Sequence, residues 1–127
     1  MNTYHSKAQE LFVLSKKELN NAKQLNSEAI ARDACGKAWL ATTDAFRGFL
    51  LINGLKEKQL PKSERQRHDL LIVYGDEKMR ILYRSIRSEI HEDGYYECII
   101  NYTSLFEAFK YVKQFMYRCQ NGNSILK

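Results

Sequence analysis

The sequence predicts an all-α protein: an up-and-down bundle of four or five helices forming a single domain over residues 1–127. Three observations point there. Apolar residues recur at three- and four-residue spacing over long stretches, a single proline and six glycines leave those stretches largely unbroken, and no run alternates convincingly with period two. With 44% hydrophobic and 28% charged residues, the chain has the core material for one globular domain and too much of it for a disordered tail. No internal repeat or low-complexity segment divides it.

The first helix is expected between Ser6 and Ala29, where Ala8, Leu11, Phe12, Leu19, Ala22 and Leu25 make an apolar face with Lys16, Lys17 and Lys23 elsewhere. The second, roughly Ile30 to Asn53, carries two apolar rows. One is small (Ala34, Ala38, Ala41, Ala45) and one bulky (Cys35, Trp39, Phe46, Leu50), which makes this the central helix: the small row admits a close backbone and the bulky row fills the main core. Asn53-Gly54 is a helix stop, and Ser63-Glu64-Arg65-Gln66 after Leu60-Pro61 reads as a capping box opening a third helix that runs to about Tyr74. Gly75-Asp76 marks a break or a kink before a fourth helix from Glu77 to about Glu92. Tyr96-Glu97-Cys98-Ile99-Ile100 reads as an extended connector, and Ser104-x-x-Glu107 opens a last helix with Leu105, Phe109, Val112 and Met116 on one face.

Twenty basic against fifteen acidic residues give a formal charge of +5, enough for weak attraction to phosphate polymers. The excess is mild and central: residues 56–91 carry nine basic and six acidic groups, and no run of like charge marks a nucleic-acid-binding arm. Cys35, Cys98 and Cys119 are odd in number and far apart, with no C-x-x-C pair, so reduced thiols and no zinc site are expected. The start of the chain, MNTYHSKAQE, has no apolar signal region, and the longest apolar run near residue 50 is too short to span a bilayer, so a cytoplasmic protein without membrane attachment is expected.

The chemistry of common enzymes has no foothold in the motifs. There is no glycine-rich phosphate loop, H-E-x-x-H, G-x-S-x-G or calcium loop, so no cofactor or metal is called for. His5, His68 and His91 are the only imidazoles and stand at no familiar metal spacing, and the consecutive residues His91-Glu92-Asp93 point in different directions on a helix. Cys35 among alanines and Trp39 reads as a small buried hydrophobe and not as a nucleophile.

One constellation on the fourth helix carries chemistry. At about 100° per residue, Arg80, Arg84, Arg87 and His91 fall on one stripe beside the apolar face of Met79, Leu82, Tyr83, Ile86 and Ile90, where a cleft between helices or subunits would open. Arg87 and His91, about 6 Å apart along the axis, could meet one phosphodiester. His91 would then move a proton of an RNA 2′-hydroxyl, while Arg84 or Arg87 stabilised the transition state without a metal. Tyr95 and Tyr96 could stack on a base. The same residues also fit a plain structural role: an arginine stripe is ordinarily a solvated flank, and Tyr95-Tyr96 an ordinary core plug under a loop.

The order of these features resembles the HEPN superfamily of small bacterial helical bundles, and within it a branch marked by Ala34-Cys35-Gly36-Lys37-Ala38 and by His91-Glu92-Asp93-Gly94-Tyr95-Tyr96, over approximately residues 8–119. The resemblance implies a homodimer that places an Arg-x(4 to 6)-His motif from each subunit in a shared cleft. Some such proteins cut RNA without metal and pair as toxins with a nucleotidyltransferase antitoxin, and others are non-catalytic binding modules. Carried over, Arg84 and His91 enclose six residues and fit that spacing, whereas Arg87 and His91 enclose three and do not. The polar residue after the motif arginine, typically asparagine, is here Ser85 or Ser88. A dimeric, non-catalytic module binding a partner protein or RNA is the expectation, with a metal-independent endoribonuclease as its rival.

Overall fold

The side-chain oxygen of Asn2 accepts the backbone N–H of His5 at 2.9 Å and caps α1 (Thr3–Leu25) in the computed structural model, which describes residues 2–122. The helix ends earlier than the apolar spacing suggests. Asn26 takes the left-handed conformation at φ 52°, its N–H reaches back to the carbonyls of Ala22 and Lys23, and Ser27 at once caps α2 (Glu28–Ile52) by accepting the Ile30 N–H at 3.2 Å. The α1–α2 boundary therefore lies at Asn26-Ser27 and not at Ala29-Ile30. Leu25, expected in the core, is 68% exposed in the last turn of α1.

As the two-row pattern requires, α2 is the central helix. Ala34, Ala38, Ala41 and Ala45 are buried on one side, and Cys35, Trp39, Phe46 and Leu50 on the other. Where α1 crosses Gly48, the imidazole of His5 occupies the space a Cβ would need, and the Asn2 amide donates to the Gly48 carbonyl at 3.0 Å. Sequence spacing gave no sign that His5, like Ser15, belongs to the buried face of α1.

A single 3₁₀ turn (Glu57–Gln59) leads to α3 (Glu64–Tyr74), capped by Ser63, which accepts the Gln66 N–H at 3.2 Å. Only half of the expected box forms, because the Gln66 side chain accepts from Lys62 and not from Ser63. Extended backbone at Gly75 and Asp76 separates α3 from α4 (Glu77–Ile86), so these are two helices, and the Asp76 carboxylate caps the second by accepting the Met79 N–H at 2.8 Å.

The fourth helix departs from expectation beyond Ile86. It does not stop near Glu92 but widens into a π-helix over Arg87–Tyr96, whose i→i+5 bonding continues to the Glu97 N–H on the Glu92 carbonyl at 2.9 Å. Tyr96 thus ends a helix and does not begin a connector. The turn that follows includes Cys98 at φ 52°, and Asn101, not Ser104, caps α5 (Tyr102–Asn121) by accepting the Ser104 N–H at 3.0 Å. Its buried face is Leu105, Ala108, Phe109, Val112, Phe115 and Cys119, with Phe115 taking the place expected for Met116.

In the bundle, α1 and α2 form an antiparallel hairpin, α5 packs across α2 and α4, and the π segment lies against α2. Phe46, Phe49 and Phe115 are fully buried where these meet, with Phe46 and Phe115 6.4 Å apart and Tyr83 5.9 Å from Phe115. Helix α3 is peripheral, with Leu71 its only buried residue. Cys35, Cys98 and Cys119 form no disulfide.

At the crossing of α2 and the π segment, a Cβ on Gly94 would stand 2.6 Å from the Cys35 Sγ, and a Cβ on Gly36 would touch the Tyr95 ring at 3.0 Å. Replacing Gly94 by Ala is therefore expected to cost about 1–3 kcal/mol by overpacking. Removing the opposing sulfur in a Gly94→Ala/Cys35→Ala double variant should recover part of that loss, seen as a positive coupling in urea unfolding midpoints.

Candidate functional site

The basic stripe opens a cleft between α3 and α4 of about 250 Å³. From α3 it is lined by Glu64, His68, Leu71 and Ile72, which share one face at spacings of four, three and one, and from α4 by Arg80, Tyr83 and Arg84, with Arg87 at the start of the π segment. Three guanidinium groups thus face one carboxylate.

These cations are held unequally. Arg80 donates to the Gly75 carbonyl at 3.1 Å, and Arg87 stands 3.8 Å from Glu64 and 3.3 Å from Glu92. Arg84 and His68 are exposed and make no ion pair or hydrogen bond among the described residues. Glu64 is the pivot of the cleft floor: it accepts the Tyr83 hydroxyl at 2.8 Å, and Arg67 approaches it at 3.4 Å while donating to the Tyr83 oxygen at 3.1 Å. Burial, reinforced by the Glu64 charge, raises the Tyr83 phenol far above its ordinary range, so this hydroxyl stays a donor.

His91 is not in this cleft. It lines a second one of about 280 Å³, together with Asp33, Gly36, Lys37, Trp39, Leu40 and Tyr95. Its imidazole stacks on the indole of Trp39 with ring centres 4.3 Å apart and planes 13° apart, and Tyr96 meets it edge-on at 4.8 Å. Trp39 in turn touches Tyr83 at 5.5 Å and lies under the Arg67 guanidinium at 5.8 Å. Tyr83 lines the arginine cleft and Trp39 the histidine cleft, so the two rings in contact are the partition between them.

The expected common stripe of Arg80, Arg84, Arg87 and His91 divides in the structure: the three arginines line one cleft and His91 the other, with Glu64 and Arg87 still near enough to act on the imidazole charge. At Arg87 the bonding switches to i→i+5, which lowers the angle per residue, so His91 is turned away from the azimuth relative to Arg80 and Arg84 that α-helical spacing gives it. Tyr95 packs on Gly36, and its carbonyl accepts from Arg32 at 2.7 Å while the Arg32 guanidinium lies 5.0 Å from its ring. Tyr96 is 65% exposed. Tyr95 therefore belongs to the frame, whereas Tyr96 offers a free ring beside His91.

Sequence reasoning missed Glu64, Arg67, His68 and Trp39 as neighbours of the stripe. The signal for the α3 residues was present in their helical spacing, Glu64 to His68 at i,i+4 with Arg67 between; nothing local assigned that face to the stripe. Among the described residues no three His, Cys, Asp or Glu side chains cluster as a metal site. Burial pushes the Cys35 thiol up to about 12, which fits the reading of this residue as a packed hydrophobe.

What the fold and clefts define is a small all-helical protein with a basic cleft beside an aromatic one. No helix among the described residues is long and apolar enough to cross a membrane. Residues 10–115 match the model of the archaeal PaREP1/PaREP8 family, and the chain belongs to that family. The bacterial superfamily suggested by the Ala-Cys-Gly and Gly-Tyr-Tyr motifs is not the one whose model matches. No curated protein and no solved structure matches the chain.

Two imidazoles should make stability depend on pH. His91 and His5 are both lowered from the ordinary histidine value, in each case chiefly by burial, and the Nδ1 of His91 and both ring nitrogens of His5 have no hydrogen-bond partner. With the folded pKa below the unfolded one, the unfolded chain binds more protons, so stability is full above about pH 6.5 and falls as pH drops below it. Melting temperatures between pH 7.5 and 5.5 should decline in the native chain. The decline should shrink in a His91→Phe variant, in which the ring stack on Trp39 is kept, and stay unchanged in His68→Ala.

Proposed function

We propose that the protein is a dimeric, non-catalytic RNA-binding module that grips phosphate in the α3–α4 cleft. The observation that carries this reading is the convergence of Arg80, Arg84 and Arg87 on one cleft in which Arg84 and His68 have no partner among the described residues. Arginine presents a planar fork matched to phosphate oxygens, and guanidinium groups that are not neutralised by neighbours release counterions when they meet a nucleic-acid backbone. A cleft of about 250 Å³ admits a phosphate and its sugar but not a duplex, which favours a single strand whose bases remain outside.

The dimer is supported by exposed apolar side chains on the two helices that form the cleft: Ile72 and Val73 on α3 and Ile81 on α4 are 49%, 42% and 44% exposed. Through the HEPN resemblance the same arrangement would suit a nucleotidyltransferase-type partner. The rival reading, an endoribonuclease using Arg84 and His91, needs both in one cleft. Within one chain Arg84 and His91 line different clefts, although Glu64 and Arg87 of the arginine cleft act on the His91 charge, so that reading needs a rearrangement or a second copy to bring a histidine to Arg84. One observation keeps it in play: burial holds His91 in the neutral, proton-accepting form at neutral pH, with Nδ1 unpaired.

A labelled single-stranded RNA should bind with an affinity that falls with salt, and Arg84→Ala should weaken it several-fold and lower the salt slope by about one. Absence of binding at low salt, or equal binding by Arg84→Ala, would remove the proposal. Incubation of the metal-free protein with mixed RNA in EDTA should leave the RNA intact. Cleavage to cyclic phosphates that His91→Ala abolishes would establish the rival, and cleavage abolished by His68→Ala alone would place the proton transfer in the arginine cleft instead. A monomeric mass at tens of micromolar, roughly where ordinary homodimers persist, would count against the dimer.

A further inference from the structure

A third cleft lies on the opposite side of α2's neighbours, along the seam of α1 and α5, and shares no residue with the two already described. The two helices run antiparallel there: Gln9 near the start of α1 meets Gln120 near the end of α5 at 3.4 Å, Phe12 meets Phe109 at 6.4 Å, and Lys23 near the end of α1 reaches the ring of Phe106 in the first turns of α5. The cleft holds about 290 Å³, and its floor is Phe12, Leu19, Phe106 and Phe109. Lys16 stands on one bank, and Lys110 and Lys113 on the other, all three exposed.

This pairing of an apolar floor with cationic banks is unusual for a plain helix seam, where apolar residues would close on each other. The Lys16 and Lys23 ammonium groups lie 5.8 and 5.6 Å from the ring centres of Phe12 and Phe106, so four lysines surround the seam. Among the described residues Glu107, paired with Lys110 at 3.0 Å, is the one carboxylate in an ion pair with any of them. Nothing in the floor can read a base edge. Phe106 is the one floor side chain that is half-exposed, so a nucleic acid strand would find charge there but no row of rings on which successive bases could stack. Side chains of an apolar ridge can enter such a floor, and carboxylates flanking that ridge would meet the lysines on both banks.

We propose that the α1–α5 seam is a docking groove for an acidic amphipathic helix of a partner protein, with apolar residues at i, i+3, i+4 and i+7 laid along Phe106 and the aliphatic stems of the bank lysines and with Glu or Asp on both flanks opposite Lys16, Lys23, Lys110 and Lys113. This is the helix-in-groove mode of recognition, with charge setting the partner and the encounter rate. The room of about 290 Å³ is that of roughly ten water-sized groups at about 30 Å³ each, which suits two or three aliphatic side chains.

The test is fluorescence anisotropy of the full chain against a labelled 18-residue helical peptide with Leu at the four ridge positions and Glu on both flanks. A second peptide with Lys in place of every Glu and a labelled single-stranded RNA serve as comparisons. Saturable binding of the acidic peptide below about 0.1 mM, weakening with salt and at least tenfold poorer in Lys16→Glu/Lys113→Glu, is the expected result. Both substituted lysines are exposed, so circular dichroism of the double variant should match the native chain. No binding of the acidic peptide, equal binding of the basic one, or equal binding by the double variant would overturn the proposal. The same double variant losing RNA binding would overturn it too, because the groove would then be part of a nucleic-acid surface, whereas loss of RNA binding in Arg84→Ala alone concerns the other cleft.

Discussion

The close crossing of α2 with the π segment is the contact on which both clefts on that side of the molecule depend. Gly94 lets the π segment descend onto Cys35, Gly36 leaves room for the Tyr95 ring, and one turn further along α2 the Trp39 indole receives His91. Each of these contacts uses a small residue on one side and a ring or sulfur on the other, so none tolerates added volume without moving a helix axis. Arg32 locks the outer end by bonding the Tyr95 carbonyl and lying against its ring. The crossing fixes where α4 must point, and α4 fixes where its arginines meet α3.

Separation of the arginines from His91 follows from this crossing and not from the residues themselves. A regular α-helix would have carried His91 round to the arginine side; the wider π turn lets Gly94 and Tyr95 face α2, and His91 goes with them. The aromatic wall of Trp39 and Tyr83 then becomes a structural necessity, since two adjoining clefts need a partition that is itself packed. Glu64, Tyr83 and Arg67 satisfy one another at its upper edge, so the polar atoms there are paired as the wall is buried.

Much of the fold was legible in the sequence because its signals are periodic. The alanine and aromatic rows of α2, the cap at Ser63 and the break at Gly75-Asp76 all appear where spacing placed them. The departures occur where one residue's backbone preference outweighed a run of side chains: Asn26 ended α1 inside an apolar pattern, and Asn101 took over the start of α5 from Ser104. The two short motifs around Cys35 and Gly94 proved to be the two faces of a single contact, which no analysis of either alone could state. The π segment was not legible, for its residues Ser88, Glu89 and Glu92 are ordinary helix formers and the instruction to widen comes from α2. For that reason His91 opens onto a different cleft from Arg80, Arg84 and Arg87, while His68 and Glu64 were overlooked as their neighbours because α3 carries almost no apolar face by which to orient it.

The π segment also sets a rule about chain length. Substitutions at its outward positions leave the path of the backbone alone, but removing one residue between Arg87 and Gly94 would rotate and draw back everything beyond it. Gly94 would leave Cys35, Tyr95 would leave Gly36, and α5 would begin from a different azimuth. In that sense the stretch from Arg87 to Tyr96 works as a ruler: the bundle measures its number of residues more strictly than their identity.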